Sequence, residues 1–473
     1  MLIDSHVHLN MREFGGDLDA VMERAAAAGV VEMLQICYDA GSIDETVSLA
    51  ERHPAVFGTA GIHPHDAKGW SAEIERKIRS ALARPKILAV GEIGLDYYRD
   101  LSPRDAQRDV FRRQIRIAIE AGKPIVVHSR EAFPDTIAIL REEGAGRVGG
   151  IFHAFPGGVD EAAAALAANF LVGIGGPLTY RSSRLPETAA RLPSSGFVLE
   201  TDCPYLPPEP HRGKRNEPAY VAFVRDRLAA LRGVEPADIE RASSASYRRL
   251  MHGERPPAPS IAYALKGNVY INVTGSCTNA CVYCPRLGRD RTLYGYNLAL
   301  AADPSPREMA DAAGALARDA APREIVFCGF GEPTCRLADV LETARALRGL
   351  GVPLRLDTNG QGSVIARRDV VPDLAAVFDA VSVSLGAHAA AAYASLCRPD
   401  RGGERTFDAV IDFIRRASAS KMQCTVTIVD HPDVNVETAR ALVAAISGAA
   451  FRLRRHQIPA GGPRRGDRGK TGV

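Results

Sequence analysis

The sequence is as informative in what it lacks as in what it carries. No run of apolar residues is long enough to cross a bilayer, and the first residues show no basic stretch leading into an apolar one, as a secretory signal would. Neither sign of charge dominates. A net charge of +3 is too small to argue by itself for a nucleic-acid partner. Nine cysteines in a chain of this character read as thiols or metal ligands rather than a disulfide framework. No internal repeat is visible. These absences lead to the expectation of a cytoplasmic protein with no membrane association. With 473 residues the chain exceeds what one hydrophobic core organises, so two domains are expected, and 46% hydrophobic with 24% charged residues is the composition of a globular enzyme.

What is present begins at the first strand. Asp4-Ser5-His6-Val7-His8-Leu9 places two imidazoles two residues apart, on the same side of a strand, which makes half of a metal site. Apolar strand-like runs recur at 2–9, 30–37, 56–63, 87–95, 124–128, 150–155, 171–178 and 197–202. Helical patterns separate them, as at 17–28, 43–52, 72–82 and 104–121. Such α/β alternation fits a (β/α)8 TIM-like barrel better than the competing doubly wound sheet. In these barrels chemistry sits at the C-terminal strand ends. There the sequence sets His6 and His8, then His63 and His65, Glu92 and Asp96, His128, His153, and finally Glu200 and Asp202. Imidazoles and carboxylates gathered at so many strand ends point to a binuclear metal site. Two divalent ions there would lower the pKa of a bound water.

The stretches DSHVHL, GIHPHD, GEIGLDYY, PIVVHSR, HAFPGG and ETDCPYL followed by RGKRNEP resemble the TatD family of metal-dependent hydrolases over residues 1–252. The resemblance implies a nuclease or related phosphoester hydrolase using Mg, Mn or Zn, with nucleic acid or another phosphoester as substrate. It implies that His6 and His8 serve one metal, that Glu92 bridges, that His128 and His153 serve the second, and that Asp202 binds metal and activates water; Asp202 and Glu92 are then the catalytic pair. His63 and His65 are expected to face substrate. Arg212, Lys214 and Arg215 follow the last strand, where a phosphate needs positive donors. One departure is Ser246, where the family usually carries Asn; that position braces the fold.

Residues 253–267 open with prolines at 256, 257 and 259 and read as a linker. Beyond it a strand at 269–274 leads into Cys277, Cys281 and Cys284. Three thiolates at CxxxCxxC spacing can hold three corners of a four-iron cluster and leave one iron open, whereas a closed structural zinc wants a fourth ligand. Further strands at 324–330, 354–357, 380–385, 423–429 and 451–454 alternate with helices, a partial (β/α)6 barrel over 268–458.

The cysteine motif, Tyr283 inside it and the stretch Gly329-Phe-Gly331-Glu332-Pro-Thr resemble the radical S-adenosylmethionine (radical SAM) superfamily, and more narrowly the radical SAM proteins linked to TatD-type domains. The resemblance implies a [4Fe-4S] cluster on Cys277, Cys281 and Cys284 that cleaves S-adenosylmethionine to methionine and a 5′-deoxyadenosyl radical, and an electron donor such as flavodoxin or ferredoxin. Tyr283, Gly329, Gly331, Glu332, Asp357 and Ser384 are its expected S-adenosylmethionine contacts. Cys328, Cys335, Cys397 and Cys424 read as buried thiols, and residues 459–473 as a basic disordered tail. Two other readings remain at this level: an amide or ester hydrolase acting on a small metabolite in the same pathway as the radical domain, and a cluster that only regulates the hydrolase.

Overall fold

The structure is a computed structural model and describes residues 1–284 and 291–459; the tail expected over 459–473 lies, from 460 on, outside the described residues. The chain forms two units, Met1–Pro256 and Pro257–Gln457.

In the first unit eight strands run β1 Leu2–Val7, β2 Val30–Gln35, β3 Val56–Ala60, β4 Ile87–Asp96, β5 Ile125–Arg130, β6 Gly150–Phe152, β7 Phe170–Ile174 and β8 Phe197–Leu199. Each pairs in parallel with the next. The ends of the sheet also meet. Asp202 donates its N–H to the His6 carbonyl and His8 donates to Cys203, both at 2.9 Å, while Val7 bridges Cys203. The result is a nearly closed barrel, not the doubly wound alternative. β1 and β4 are buried along their whole length, as parallel strands wrapped by helices must be.

The helices between the strands are α1 Leu18–Ala27, α2 Ser42–Arg52, α3 Ala72–Leu82, α4 Arg104–Ala121, α5 Phe133–Glu142, α6 Val159–Ala167 and α7 Leu185–Arg191, with α8 Val221–Arg232 and α9 Pro236–His252 after β8. Their ends follow local chemistry. Ser71 Oγ accepts the Ile74 N–H at 3.3 Å to start α3, and Gly122, left-handed at φ 62°, ends α4. α9 packs across β1 and β8 and buries Tyr247 completely. Its Ser243 Oγ accepts the Leu199 N–H at 2.9 Å, and Ser246 donates back to the Ala242 carbonyl at 2.9 Å. Gly253, left-handed at φ 65°, stops the helix just before the prolines.

The second unit holds β9 Ala262–Leu265, β10 Asn268–Asn272, the short pair β11 Thr292–Leu293 and β12 Tyr296–Asn297, then β13 Ile325–Cys328, β14 Leu354–Thr358, β15 Ala380–Ser384, β16 Gln423–Val429 and β17 Ala449–Arg454. Its main sheet has the order β9-β10-β13-β14-β15-β16-β17, and every pairing is parallel except that of β9 with β10. Helices α10 Pro306–Ala320, α11 Leu337–Leu347, α12 Gly362–Ala366, α13 Val371–Val377, α14 Ala390–Cys397, α15 Glu404–Ala419 and α16 Val436–Ala444 fill the connections. Alternate strand residues, among them Ile271, Phe327, Leu356, Val383 and Val426, join the helices in one apolar core and leave the opposite face of the sheet to the intervening residues.

One correction concerns the linker. Ala262–Leu265, expected to be part of it, is a strand. Lys266 and Gly267 both have positive φ, 55° and 70°, the two-residue turn whose twist suits a hairpin, and they return the chain into β10. The signal was present as a Lys-Gly step between alternating residues, hidden by the prolines upstream.

The first unit should stand alone. Expressed as residues 1–256, it is expected to melt in one cooperative transition; a broad, non-cooperative melt would show that its core is completed elsewhere in the chain.

Candidate functional site

The C-terminal ends of the barrel strands bring one set of side chains to a single buried point. Glu92, on β4 and 3% exposed, stands at its centre. Its Oε2 lies 3.5 Å from His6 Nε2, whereas its Oε1 lies 2.8 Å from His128 Nδ1, 2.9 Å from His153 Nε2 and 3.8 Å from His63 Nε2. One carboxylate thus serves two groups of imidazoles. His6 and His8 turn their Nε2 atoms to within 3.2 Å of each other, and each reaches Asp202 Oδ1 at 3.5 Å. The His6 and His153 rings stack with centroids 3.8 Å apart. Three sets of possible ligand atoms each fall within 4.8 Å: His6, His153 and Asp202; His6, His8 and Glu92; His63, Glu92 and His128. Lone pairs facing one another in a dry pocket repel unless a proton or cation lies between them. The donor set fits divalent cations that take imidazole and carboxylate together.

Buried amides hold the strand ends in place. On α4, Gln107 and Gln114 are seven residues apart and share a face. Gln114 grips the Ile62 backbone, N–H at 2.8 Å and carbonyl at 3.0 Å, which fixes the loop bearing His63 and His65. Gln107 grips Asp96 in the same way, at 2.8 and 3.2 Å. Gln35 accepts the Leu9 N–H at 2.7 Å beside His8.

Electrostatics separates the groups. Burial pulls His6 down to about 4, leaving it neutral at pH 7. Burial would lower His153 as well, but the Glu92 carboxylate, with Asp202 and Glu200, outweighs it and raises His153 to about 10. Burial would raise Asp202, yet its hydrogen bond with His8 and the charges of His153 and His6 keep it below the usual carboxylate range. Burial lifts Glu200 to about 7 and Asp4 to about 8.

The candidate residues divide. His63 joins Glu92 and His128 and so lies among the possible ligands as well as facing the centre. His65 instead meets Asp96 at 2.9 Å, and the same Asp96 oxygen lies 3.1 Å from His128 Nε2. Arg212 stacks over Tyr180, its guanidinium carbon 4.2 Å from the ring centre. Arg215 does not reach the centre: Asp17 holds both of its terminal nitrogens at 2.7 and 2.8 Å, and the Glu13 carbonyl takes one at 2.6 Å. Its guanidinium is engaged in an ion pair that closes the loop onto α1, which corrects the expectation of a substrate contact. Three supporting acids had no role assigned from sequence. Asp96 orients two histidines; Asp4 binds the Thr201 N–H at 2.9 Å and its hydroxyl at 2.6 Å; Glu200 accepts the Ala154 N–H at 2.5 Å beside His153. The neighbourhoods Leu-Asp96-Tyr and Glu200-Thr-Asp202 were the only signal for two of them.

In the second unit the cysteine loop follows β10. Ala280 donates to the Cys397 carbonyl at 3.0 Å and Val282 to Leu396 at 2.9 Å, so the end of α14 holds the loop. The turn after β13 locks it from the other side, Gly331 donating to Thr274 at 2.9 Å and Glu332 to Ser276 at 2.7 Å. A Cβ on Gly331 would stand 2.2 Å from the Ser276 carbonyl, so this approach requires glycine. Cys277, Cys281 and Cys284 are half-buried, and the Asn279 N–H points at Cys277 Sγ, 3.4 Å away.

The other residues expected around S-adenosylmethionine have protein partners. Glu332 is 2% exposed and accepts from the Thr334 N–H and hydroxyl, the Thr358 hydroxyl and the Asn359 N–H at 2.6–3.0 Å, so it braces the turn instead of awaiting an ammonium. The Tyr283 hydroxyl donates to the Gly386 carbonyl at 3.0 Å, Asp357 pairs with Arg355, and Ser384 Oγ lies 3.4 Å from Thr427 Oγ1. Gly329, at φ 147°, has a conformation that favours glycine. Of the four remaining cysteines Cys397 and Cys424 are buried; Cys328 and Cys335 are only half-buried, at the sheet's polar face and in the turn after it.

Comparison with known proteins adds independent findings. Residues 3–252 match the model of the TatD related DNase family and residues 271–446 that of the radical SAM superfamily. The uncharacterized metal-dependent hydrolase YabD of Bacillus subtilis is 39% identical over 251 residues, 53% of this chain and 98% of that protein. The 3′-5′ ssDNA/RNA exonuclease TatD of Enterobacter lignolyticus is 36% identical over 238 residues, 49% of this chain and 92% of the relative. The crystal structure of YJJV, a TatD homolog from Escherichia coli K12, matches with TM-score 0.51 and 30% identity, covering 53% of this chain and 98% of that one. No described helix is long and apolar enough to cross a membrane.

Two outcomes test the barrel site. Added Mn2+ or Zn2+ should raise the melting temperature of metal-stripped protein, because the ion binds only the folded state, and Glu92→Ala should abolish that shift. Uptake at pH 7 must also displace the proton that His153 carries. Calorimetry in buffers of different ionisation enthalpy should therefore report net proton release, because His128 is shifted upward as well, and affinity should rise with pH through neutrality. Binding without proton release would contradict this charge assignment.

Proposed function

The chain belongs to the TatD-related DNase family and carries a radical SAM domain behind that part, and from this premise we propose that its first unit is a divalent-metal-dependent phosphoester hydrolase, nuclease-like in its chemistry, and that its second is a [4Fe-4S] radical SAM enzyme. The observation that carries the first half is the two-sided position of Glu92, with His6 at one oxygen and His128 and His153 at the other. Divalent ions held by His6, His8, Glu92 and Asp202, and by Glu92, His128 and His153, would supply an activated water and neutralise the phosphate. The chain's own groups do the rest. Both His6 and His8 approach Oδ1 of Asp202, so its Oδ2 remains to take the proton of the attacking water, and the lowered carboxyl is ionised and able to accept it. Asp96 orients His65 and His128. His63 faces the centre and suits a phosphate oxygen or a ligand position, and Arg212, stacked on Tyr180, is the cation placed for the rest of the substrate. Nucleic acid is the favoured substrate class, with smaller phosphoesters as the alternative.

In the second unit Cys277, Cys281 and Cys284 would hold the cluster, which would supply the electron for reductive cleavage of S-adenosylmethionine, drawn from a carrier such as flavodoxin or ferredoxin. Glycines 329 and 331 let the turn pack closely on the cysteine loop and would leave backbone open to the cofactor, and Glu332 acts as the brace of that turn.

Asp202→Asn should lower hydrolysis of a phosphodiester by roughly 10²-fold or more while the metal-induced rise in melting temperature largely persists. Unchanged turnover would remove Asp202 from the reaction. Anaerobically reconstituted protein should contain about four irons and form 5′-deoxyadenosine under dithionite. Cys281→Ala should stop this and Cys335→Ala should not; tightly bound zinc without iron would end the radical reading.

A further inference from the structure

The polar face of the second unit's sheet ends in positive charge that the cluster site does not use. Strand register places Ser384, Thr427 and Arg452 in one row across β15, β16 and β17, with Arg454 opposite Val429 at the strand ends. A level below run Asp357, Ser382 and Thr425. These positions alternate with Val381, Val383, Val426 and Ile428 of the apolar core, so their side chains leave from the other face of the sheet. The C-terminal end of a parallel sheet is also where ligands bind in α/β units.

The charges on this face do not cancel. Arg355 lies between Glu324, at 2.8 Å, and Asp357, which satisfies its guanidinium. Arg452 and Arg454 are exposed, and their guanidinium groups make no hydrogen bond or ion pair with any described residue. Both act on the buried Asp357, which is already paired with Arg355, while Asp430, just after β16, takes the His456 N–H. At the same strand ends the His431 ring stands 4.9 Å from His456 and 5.9 Å from Tyr283, between Cys281 and Cys284, so this corner of the sheet adjoins the cysteine loop. β17 is the edge of the sheet, and exposed arginines on an edge strand can serve only to discourage pairing with another chain. That role makes no distinction between faces, yet Arg452 and Arg454 share theirs with two hydroxyls that approach within 3.4 Å of each other.

We infer that this face binds the anionic group, carboxylate or phosphate, of the molecule on which the radical domain acts, with Arg452 and Arg454 as its counter-charges and Thr427 and Ser384 as hydroxyl donors. The inference rests on the radical SAM reading for the word "acts"; the anion site itself does not. Guanidinium forks suit either oxyanion, and hydrogen bonds to charged groups are the strong ones.

The test uses the full-length, cluster-reconstituted protein with a chelator present to strip the barrel of divalent ions, and inorganic phosphate and succinate as probes. At least one should bind saturably by calorimetry, and which one it is distinguishes the two oxyanions. Arg452→Gln with Arg454→Gln should weaken that binding about tenfold or more. The corresponding double Lys variant should retain part of it, and Arg455→Gln should leave it intact. S-adenosylmethionine affinity, measured in parallel, should be unchanged in all of them. No saturable binding of either probe, equal binding by the double Gln variant, or a loss confined to S-adenosylmethionine affinity would each overturn the proposal; the last would mean that the arginines serve the carboxylate of S-adenosylmethionine itself. Because this readout involves no turnover, failure of the radical reading would show separately as absence of 5′-deoxyadenosine.

Discussion

A carboxylate with almost no solvent exposure is stable only if positive charge or strong donors surround it, and Glu92 is such a group. The first unit meets this demand by aiming imidazoles from β1, β5 and β6, and from the loop after β3, at its two oxygens. Each imidazole must come from the C-terminal end of its own strand, so the barrel has to be nearly closed before the carboxylate is compensated. Closure in turn depends on backbone bonds of His6 and His8 with Asp202 and Cys203. The same residues that carry the candidate ligands thus complete the sheet, and fold and site stand or fall together.

The second unit solves a related problem with backbone in place of charge. A loop of three thiolates has no regular structure of its own. Here it is held between the end of α14 and the turn after β13, with Gly331 close enough to the Ser276 carbonyl that any side chain would collide with it. Glu332 collects four donors and makes that turn rigid. Its burial is the reason that a residue expected to meet a ligand instead supports the residues that would. Next to this fixed loop the end of β17 carries the exposed guanidinium groups of Arg452 and Arg454, so a rigid loop adjoins an open, positively charged flank.

The two candidate sites differ in how they treat ionisation. In the barrel the environment splits like residues apart, His6 toward neutral and His153 toward protonated, because one lies where burial dominates and the other where Glu92 does. Splitting of this kind marks sites built for chemistry more often than for stability. On the radical domain's polar face the acid Asp357 is buried beside Arg355, and the more distant arginines are left unmatched.

The sequence by itself determined which strands carry donors. The alternation of apolar runs with helical spacing announces parallel strands, and a His or carboxylate at the end of such a run must sit at the barrel mouth, so His6, His8, Glu92, His128, His153 and Asp202 were legible, as was the three-cysteine loop. Only the tertiary structure decided what those residues meet. Arg215 and Asp17 are 198 positions apart, and their pairing takes Arg215 away from the centre. Asp96 reaches His65 and His128 across neighbouring strands, and the four donors on Glu332 come from two different strand ends. The β9 hairpin was obscured because prolines just before it suggested a linker, while the turn geometry of Lys266 and Gly267 acts over two residues only. Periodicity is a local property that a sequence displays directly; the partner of a polar side chain depends on register and closure between distant segments, which come into being only when the chain folds.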